Sequence, residues 1–160
     1  MSYDSKKNLL SVAAGVILMA AYTLFALGGN APAPEDLQAW ARAMLVFIGI
    51  GAAAVIVIQI LFHAALAIGI AVREREQGGE AVERIISSTM AEDERDKLVN
   101  LKSSLIGYII AGGGLFSALA ALAAGAAAVA ALHISFGALG AASIAEGIAR
   151  IVCYEKGVKP

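Results

Sequence analysis

The chain has 160 residues, of which 59% are hydrophobic, and its formal net charge is −1. Its mean hydropathy of +0.78 lies far above that of soluble domains, so we expect lipid to surround most of the chain. No basic face for nucleic acid is evident, which argues against direct nucleic-acid binding. The single cysteine, Cys153, excludes an intrachain disulfide.

Four long apolar stretches predict an all-α, polytopic membrane protein in which residues 1–160 form a single membrane domain. A charge-rich helical segment separates the second stretch from the third, and we expect it to lie in the cytoplasm. The predicted transmembrane helices cover about 9–29, 38–72, 105–126 and 134–153, and the predicted cytoplasmic segment covers 73–104.

A short loop with two prolines separates the first two spans. The first span follows Lys6 and Lys7 and resembles a signal peptide, but it is long for that role. Pro32 and Pro34 break the helix after it. The second span exceeds one membrane thickness, so it should tilt or project beyond the lipid, with Trp40 as an aromatic anchor at the membrane interface.

The apolar stretch after Lys102 allows two interpretations. One long helix would explain why no charge occurs between Lys102 and Glu146. We favour a helical hairpin, because it returns Arg150 and the basic tail to the side of the membrane that holds Lys102. The turn is expected among small and polar residues, which are Gly125, Ser135, Gly137 and Gly140.

Lysine and arginine are unevenly placed along the chain. They occur before the first span, in the central segment and in the carboxyl-terminal tail, with Arg42 alone at the flank of the loop between the first two spans and none between the third and fourth spans. The positive-inside rule therefore predicts a multi-pass protein of the prokaryotic inner (cytoplasmic) membrane with both termini in the cytoplasm. Cys153 would then face the reducing compartment.

The central segment is expected to bind a partner. Val82, Ile85, Ile86 and Met90 recur at helical spacing, which predicts an amphipathic helix lying against the membrane, a partner or the ends of the protein's own helices. Acidic residues precede basic ones in the next stretch, which predicts a helix that continues into the third span. The predicted partner-binding residues are Glu92, Asp93, Glu94, Arg95, Asp96 and Lys97.

The run from Asp93 to Ser103, directly ahead of a span, resembles the DUF2178 family of small membrane proteins from bacteria and archaea. The ending from Ala145 to Gly157 looks like that family's tail, with Glu155 and Lys156 where a basic pair is usual. The likeness covers chiefly the second half of the chain. It implies four spans, no known catalysis, and a small helix-turn-helix regulator as a cytoplasmic partner.

Four polar residues inside the apolar stretches form a candidate cluster between the second and fourth spans. His63 and Glu146 should lie at similar depth, and Gln59 and Arg150 each stand one helical turn from one of them. A proton or ion relay is one interpretation, because a histidine and a carboxylate can exchange a proton near neutral pH. The interpretation that we favour is hydrogen bonding that holds the helices together.

Glycines in the third and fourth spans predict close contacts between helices. A metal site or a bound cofactor is not expected, because His63 and His133 fall at different depths and no cluster has the spacing of metal ligands. The residues predicted to pack the helices closely are Gly107, Gly112, Gly113, Gly114, Gly140 and Gly147.

Two functions fit these features. The first is a non-enzymatic membrane protein that acts as an interaction partner or an accessory or regulatory subunit, as a homo-oligomer or within a larger membrane complex. The alternative is a small oligomeric transporter or channel that uses the cluster around His63 and Glu146. An enzyme is not expected, because no nucleophile and base occur at a recognisable spacing. The expected partners are the lipid bilayer and a cytoplasmic regulator protein.

Overall fold

The computed structural model describes residues 3–29, 31–73 and 94–156, and the regular structure in these ranges is entirely helical. Each helix is long and apolar enough to span a membrane. The predicted all-α architecture with four spans is thereby confirmed. In chain order the helices are α1 (Tyr3–Leu27), α2 (Leu37–Arg73), α3 (Glu94–Ala123) and α4 (Ala128–Lys156).

Helices α1, α3 and α4 extend into the charged residues that flank their predicted spans, and α4 also begins at Ala128, six residues before its predicted span. Helices α1 and α3 end at Leu27 and Ala123, two and three residues before the predicted limits. Helix α3 begins at Glu94, so the charged stretch before the span is helical and continuous with it, as predicted. Its first turn carries Glu94 and Asp96, which the dipole of the helix favours at this end. The predicted amphipathic helix at 82–90, and the partner-binding residues Glu92 and Asp93, lie outside the described residues.

Helix α2 is the longest of the four, and it begins with a capped turn. Its 37 residues correspond to about 55 Å, well beyond a hydrocarbon layer of about 30 Å. The Asp36 carboxylate accepts a hydrogen bond from the backbone N–H of Ala39 at 2.9 Å. This bond satisfies one of the N–H groups that a helix start leaves unpaired, which explains why the helix begins directly after Asp36.

A tight turn separates α3 from α4. Gly125 adopts a φ of +87°, in the left-handed region that favours glycine. The N–H of Ala126 donates to the carbonyl of Ala121 at 2.9 Å and that of Gly125 to Leu122 at 3.0 Å, which is the Schellman pattern of a helix end. The predicted hairpin is confirmed, and the single long helix is wrong. Among the predicted turn residues only Gly125 lies in the turn, while Ser135, Gly137 and Gly140 lie within α4.

Helix α4 is the central element of the fold. It contacts α1, α2 and α3, whereas within the described ranges α3 contacts neither α1 nor α2. Antiparallel packing follows from the pairs in contact: Ser104 of α3 reaches Glu146 near the end of α4, and Gly147 of α4 lies against Val12 near the start of α1. Helix α3 is therefore attached to the other helices through α4.

Small residues allow α4 to approach its neighbours closely. A side chain on Gly114 would overlap Ala138 of α4, one on Gly140 would overlap Met19, and one on Gly147 would overlap Val12. Gly112 and Gly113 differ, because a methyl group added at either position would meet no atom within 4 Å. Of the glycines predicted to pack helices, the structure places Gly107, Gly114, Gly140 and Gly147 at contacts and the other two on an open face.

Candidate functional site

Polar side chains meet where the first half of α3 packs against the second half of α4. Helix α3 contributes Ser103 and Ser104, and α4 contributes Glu146 and Arg150. The residues on α4 are one turn apart and therefore lie on the same face of the helix. We refer to these four side chains as the polar contact.

A hydrogen-bonded network connects the polar contact. The Glu146 carboxylate oxygen Oε1 accepts from Arg150 Nη2 at 2.5 Å and from Ser104 Oγ at 2.9 Å. Arg150 Nε also donates to Ser103 Oγ at 3.3 Å. The fully buried Ser103 hydroxyl in turn donates to the backbone carbonyl of Val99 at 2.7 Å. A charged pair on one helix is thus joined to both serines of its neighbour.

Gly107 makes room for the Glu146 side chain. A methyl group at Gly107 would lie 3.0 Å from Glu146 Oε2 and 3.4 Å from Glu146 Cβ. The 3.0 Å distance is tighter than ordinary van der Waals contact, so a larger residue would press against the Glu146 carboxylate. Gly107 is itself buried on the face of α3 that meets α4. It therefore contributes to the polar contact through its small size.

The ion pair lies near one edge of the apolar layer. Gly114 meets Ala138 near the middle of the uncharged part of each helix, and Glu146 is eight residues further along α4, or about 12 Å. Half of a hydrocarbon layer is about 15 Å, so the carboxylate stands close to its boundary. The Arg150 and Glu146 side chains are 32% and 29% exposed. Pairing and this shallow depth both lower the cost of placing charge within a span.

The structure brings Glu146 and Arg150 together but does not bring Gln59 and His63 to them. Both side chains on α2 are exposed, and neither forms a hydrogen bond or ion pair with the pair on α4. The physical reason is the rotation and position of α2, which meets α4 through Trp40 near its own start. The carboxylate's partners come from α3 instead.

Sequence reasoning missed Ser103 and Ser104, although a signal for one of them exists. Ser104 and Glu146 are equally distant in sequence from Gly125, so an antiparallel hairpin that turns at Gly125 places them at the same level. A hydroxyl at the level of a carboxylate is a natural partner for it inside a span. Locating the turn first would have identified Ser104.

The charged start of α3 is joined to the end of α4. Arg95 Nη2 donates to the backbone carbonyl of Tyr154 at 3.1 Å, and this carbonyl is among the last of α4, which lack helical partners. The side chains of Glu94, Arg95 and Lys97 are exposed, and that of Asp96 is half-buried. Of the predicted partner-binding residues described by the structure, Arg95 therefore also has a role within the chain.

An aromatic cluster joins α1, α2 and α4 on the opposite side of the Gly114–Ala138 crossing. The Tyr22 ring lies 4.2 Å from that of Phe136 and 5.2 Å from that of Phe47, measured between centroids. The His133 ring lies 4.5 Å from the Trp40 ring and 6.1 Å from the Tyr22 ring. We define the aromatic cluster as Tyr22, Phe25, Trp40, Phe47, His133 and Phe136.

Trp40 occupies a different environment from the one predicted. It is buried between helices instead of anchoring the protein at the membrane interface. Its indole Nε1 donates to the carbonyl of Ala33 at 3.0 Å, so it fastens the loop between α1 and α2. The indole finds its hydrogen-bond partner inside the protein, which removes the reason for it to reach the lipid headgroups.

Within the described ranges, no group of three or more histidine, cysteine, aspartate or glutamate residues is placed to hold a metal ion. Cys153 is a free thiol of intermediate burial near the end of α4. Comparison of the chain with protein-family models, with curated proteins and with solved structures finds no match, so its resemblance to the DUF2178 family stays a prediction.

Proposed function

We propose that this chain is a non-enzymatic integral membrane protein that acts as an interaction or accessory subunit, with the charged start of α3 binding a partner outside the lipid. The observation that carries this proposal is the continuity of α3, which runs without a break from Glu94 to Ala123. A partner that binds the charged end would therefore act on a helix that also enters the membrane.

Three polar links support a rigid connection between the charged stretch and the membrane helices. Arg95 joins the Tyr154 carbonyl, Ser103 joins Arg150, and Ser104 joins Glu146. They follow one another along the same face of α4, so the two helices are held together over this whole length. A partner that tilts or shifts the charged start of α3 would therefore move both helices of the hairpin.

The charged stretch offers side chains of both signs to a partner. Glu94 and Lys97 are exposed and lie one turn apart on the same side of α3. Mixed charge on a helix favours a specific, complementary protein surface over a nucleic acid, which requires an excess of positive charge. If the family resemblance holds, a small helix-turn-helix regulator is the partner that it implies.

Charge reversal tests the proposal. The tagged protein would be purified in native nanodiscs, and mass spectrometry would identify what accompanies it and at what total mass. We expect a stoichiometric partner that is lost in Lys97→Glu and retained in Lys6→Glu, a matched reversal at an exposed lysine of α1. A homo-oligomer without any partner, or equal retention in both variants, would contradict the proposal.

We further propose that both termini and the charged stretch face the cytoplasm of a prokaryotic inner membrane. The support is the uneven placement of lysine and arginine. Cys153 is the single cysteine, so it reports orientation without any substitution. A membrane-impermeant maleimide should label it after the cells are permeabilised and leave it unlabelled in intact cells. Labelling in intact cells would reverse the assigned topology.

The alternative function, a small oligomeric transporter or channel, needs Glu146 and His63 to share a water-filled path. In the structure Glu146 Oε1 is shared by Arg150 and Ser104, and His63 lies exposed on α2. No contact among the described residues favours this alternative over the first function. Its decisive measurement is ion or proton flux in liposomes, which should be abolished in Glu146→Gln if the carboxylate carries the transported species.

A further inference from the structure

Gln59 is a polar side chain on the outer surface of a helix that is apolar enough to span a membrane. It belongs to α2, within the apolar stretch from Leu37 to Ala65, and it is exposed. In the described part of the chain, no residue forms a hydrogen bond with its amide. A primary amide carries two donor hydrogens and an acceptor oxygen, and lipid chains can pair with none of them. We therefore expect a polar group, and not lipid alone, to cover this face of α2.

Contacts with α1 show how deep Gln59 lies. Gly51 of α2 lies against Leu18 of α1, and the next residue of α1 contacts α4 within one turn of the Gly114–Ala138 crossing. Gly51 is thus close to the middle of the apolar layer, and Gln59 is eight residues further along α2, or about 12 Å. Half of the layer is about 15 Å, so Gln59 lies inside it. Side chains lean towards the start of their own helix, which turns the Gln59 amide towards the middle of the layer and away from the nearer boundary.

Gln59 continues a row of exposed residues at the spacing that pairs two helices. Positions 45, 48, 52, 55 and 59 alternate steps of three and four residues, which is the heptad spacing of a helix–helix contact. The row is exposed because α2 packs on α1 and α4 through a neighbouring face, which carries the buried Trp40 and Met44. A small alanine at the centre of the row permits close approach of a second helix. We call this row the outer seam, and its members are Leu45, Ile48, Ala52, Val55 and Gln59.

We propose that a second copy of this chain packs on the outer seam, with the Gln59 amides of the two copies hydrogen-bonded to each other. Two copies with the same orientation in the membrane are related by a twofold axis along the membrane normal, so identical residues lie at the same depth. An amide both donates and accepts, so Gln59 is complementary to itself. A different protein would need a polar group at this depth, whereas a second copy always carries one. A single polar residue within a heptad row also fixes the register of two helices.

His63 follows Gln59 by one turn on the same side of α2. It is about 18 Å from the level of Gly51, beyond the half-layer of about 15 Å, where water and lipid headgroups supply hydrogen-bond partners. Pairing of the Gln59 amides is therefore sufficient for this face of α2. The outer seam and the charged start of α3 lie on helices that make no contact with each other in the described ranges, so this inference is independent of the proposed partner binding.

Cysteine cross-linking in native membranes tests the surface. Cys153→Ser removes the single natural cysteine, and Ala52→Cys then places one thiol in the outer seam. We expect oxidation to yield a disulfide-linked dimer with twice the mass of one chain. Ile50→Cys in the same background is the matched control, because Ile50 is 52% exposed at a similar depth but lies about 160° around the helix from Ala52, and it should stay monomeric. Equal cross-linking at both positions, a monomer at both, or a cross-link to a different protein would overturn the proposal.

Removing the amide tests the role of Gln59. In bicelles of fixed composition, Gln59→Leu should raise the dissociation constant of the dimer about 10-fold, because one hydrogen-bonded contact between the copies is lost. Gln59→Asn keeps the donors and the acceptor and should retain most of the affinity. An unchanged dissociation constant in Gln59→Leu would overturn the pairing of the amides. Lys97→Glu should leave the cross-link unchanged, so the loss of a partner from α3 and the loss of the dimer are distinguished.

Discussion

In its second half, α4 is joined to α3 by an ion pair and serine hydrogen bonds, whereas its first half packs on α1 and α2 through aromatic rings. The first arrangement depends on direction, because each donor must point at its acceptor. The second depends on shape and on the number of atoms in contact. One helix thus uses two kinds of interaction, one on either side of the Gly114–Ala138 crossing.

The two regions also differ in their position within the apolar layer of the membrane. The ion pair lies near the boundary of the apolar layer, where charge is less costly, while the aromatic cluster lies on the other side of the crossing and contains no charged pair. In lipid, apolar side chains gain little from leaving their solvent, so tight packing must supply the stability of the aromatic region. We therefore expect substitutions to reveal larger losses in the aromatic cluster than in the polar contact.

The largest loss is expected from Phe136→Ala. Phe136 is buried and packs on the Tyr22 ring, so its removal leaves a cavity among α1, α2 and α4. We expect the free energy of unfolding in bicelles to fall by about 3 kcal/mol. Phe116→Ala is the matched control, because Phe116 is 74% exposed on α3, and it should change stability little. Equal losses at the two positions would contradict the assignment of the aromatic cluster as a packed core.

The crossing between the two regions is probed by Gly114→Ala. The added methyl would overlap Ala138, whose position is set by the backbone, so α3 and α4 would have to separate. We expect a loss of about 2 kcal/mol in the free energy of unfolding, measured in the same bicelles. Gly113→Ala meets open space and removes a poor helix former, so it should stabilise by up to about 1 kcal/mol. A larger loss at Gly113 than at Gly114 would show that a different face of α3 meets α4.

Substitutions in the polar contact should lower the free energy of unfolding by less. Glu146→Ala leaves the Arg150 guanidinium without its carboxylate, and because both side chains are about a third exposed we expect a loss of only about 1–2 kcal/mol. A double-mutant cycle with Arg150→Ala should give a coupling energy of about 1 kcal/mol. Strictly additive losses would mean that the pair contributes nothing beyond its individual side chains.

The smallest effect is expected from Arg95→Ala. The substitution removes the hydrogen bond to the Tyr154 carbonyl and leaves the last turn of α4 less well capped, at a cost of about 0.5 kcal/mol. Amide hydrogen exchange should accelerate in the last turn of α4 while the exchange of the remaining helices is unchanged. Lys97→Ala should have no effect on that turn, and an equal acceleration in both variants would remove the specific role of Arg95.

The elements of the fold follow from local patterns, and the sequence predicted them well. The spans were identified from the length of the apolar stretches, and the helical start of α3 from the order of its charges. The hairpin was identified from the basic residues at both ends of the uncharged stretch, which a hairpin places on one side of the membrane. Glu146 and Arg150 lie one turn apart on one helix, so their pairing is also local. The prediction that Gln59 and His63 lie beside this pair was a different kind of inference, because it required knowing how α2 is rotated relative to α4.

Apolar length, helical periodicity and charge order by themselves determined that this chain has four helices long and apolar enough to span a membrane, and that Glu146 and Arg150 share one face of the last helix. Only the tertiary structure decided that α4 is central, that Ser103 and Ser104 form hydrogen bonds with the ion pair, and that Trp40 belongs to an aromatic cluster. The physical reason is that hydropathy distinguishes lipid from water but not one apolar neighbour from another. Partner choice between helices depends on which small residues permit close approach and which polar atoms then come within hydrogen-bonding distance.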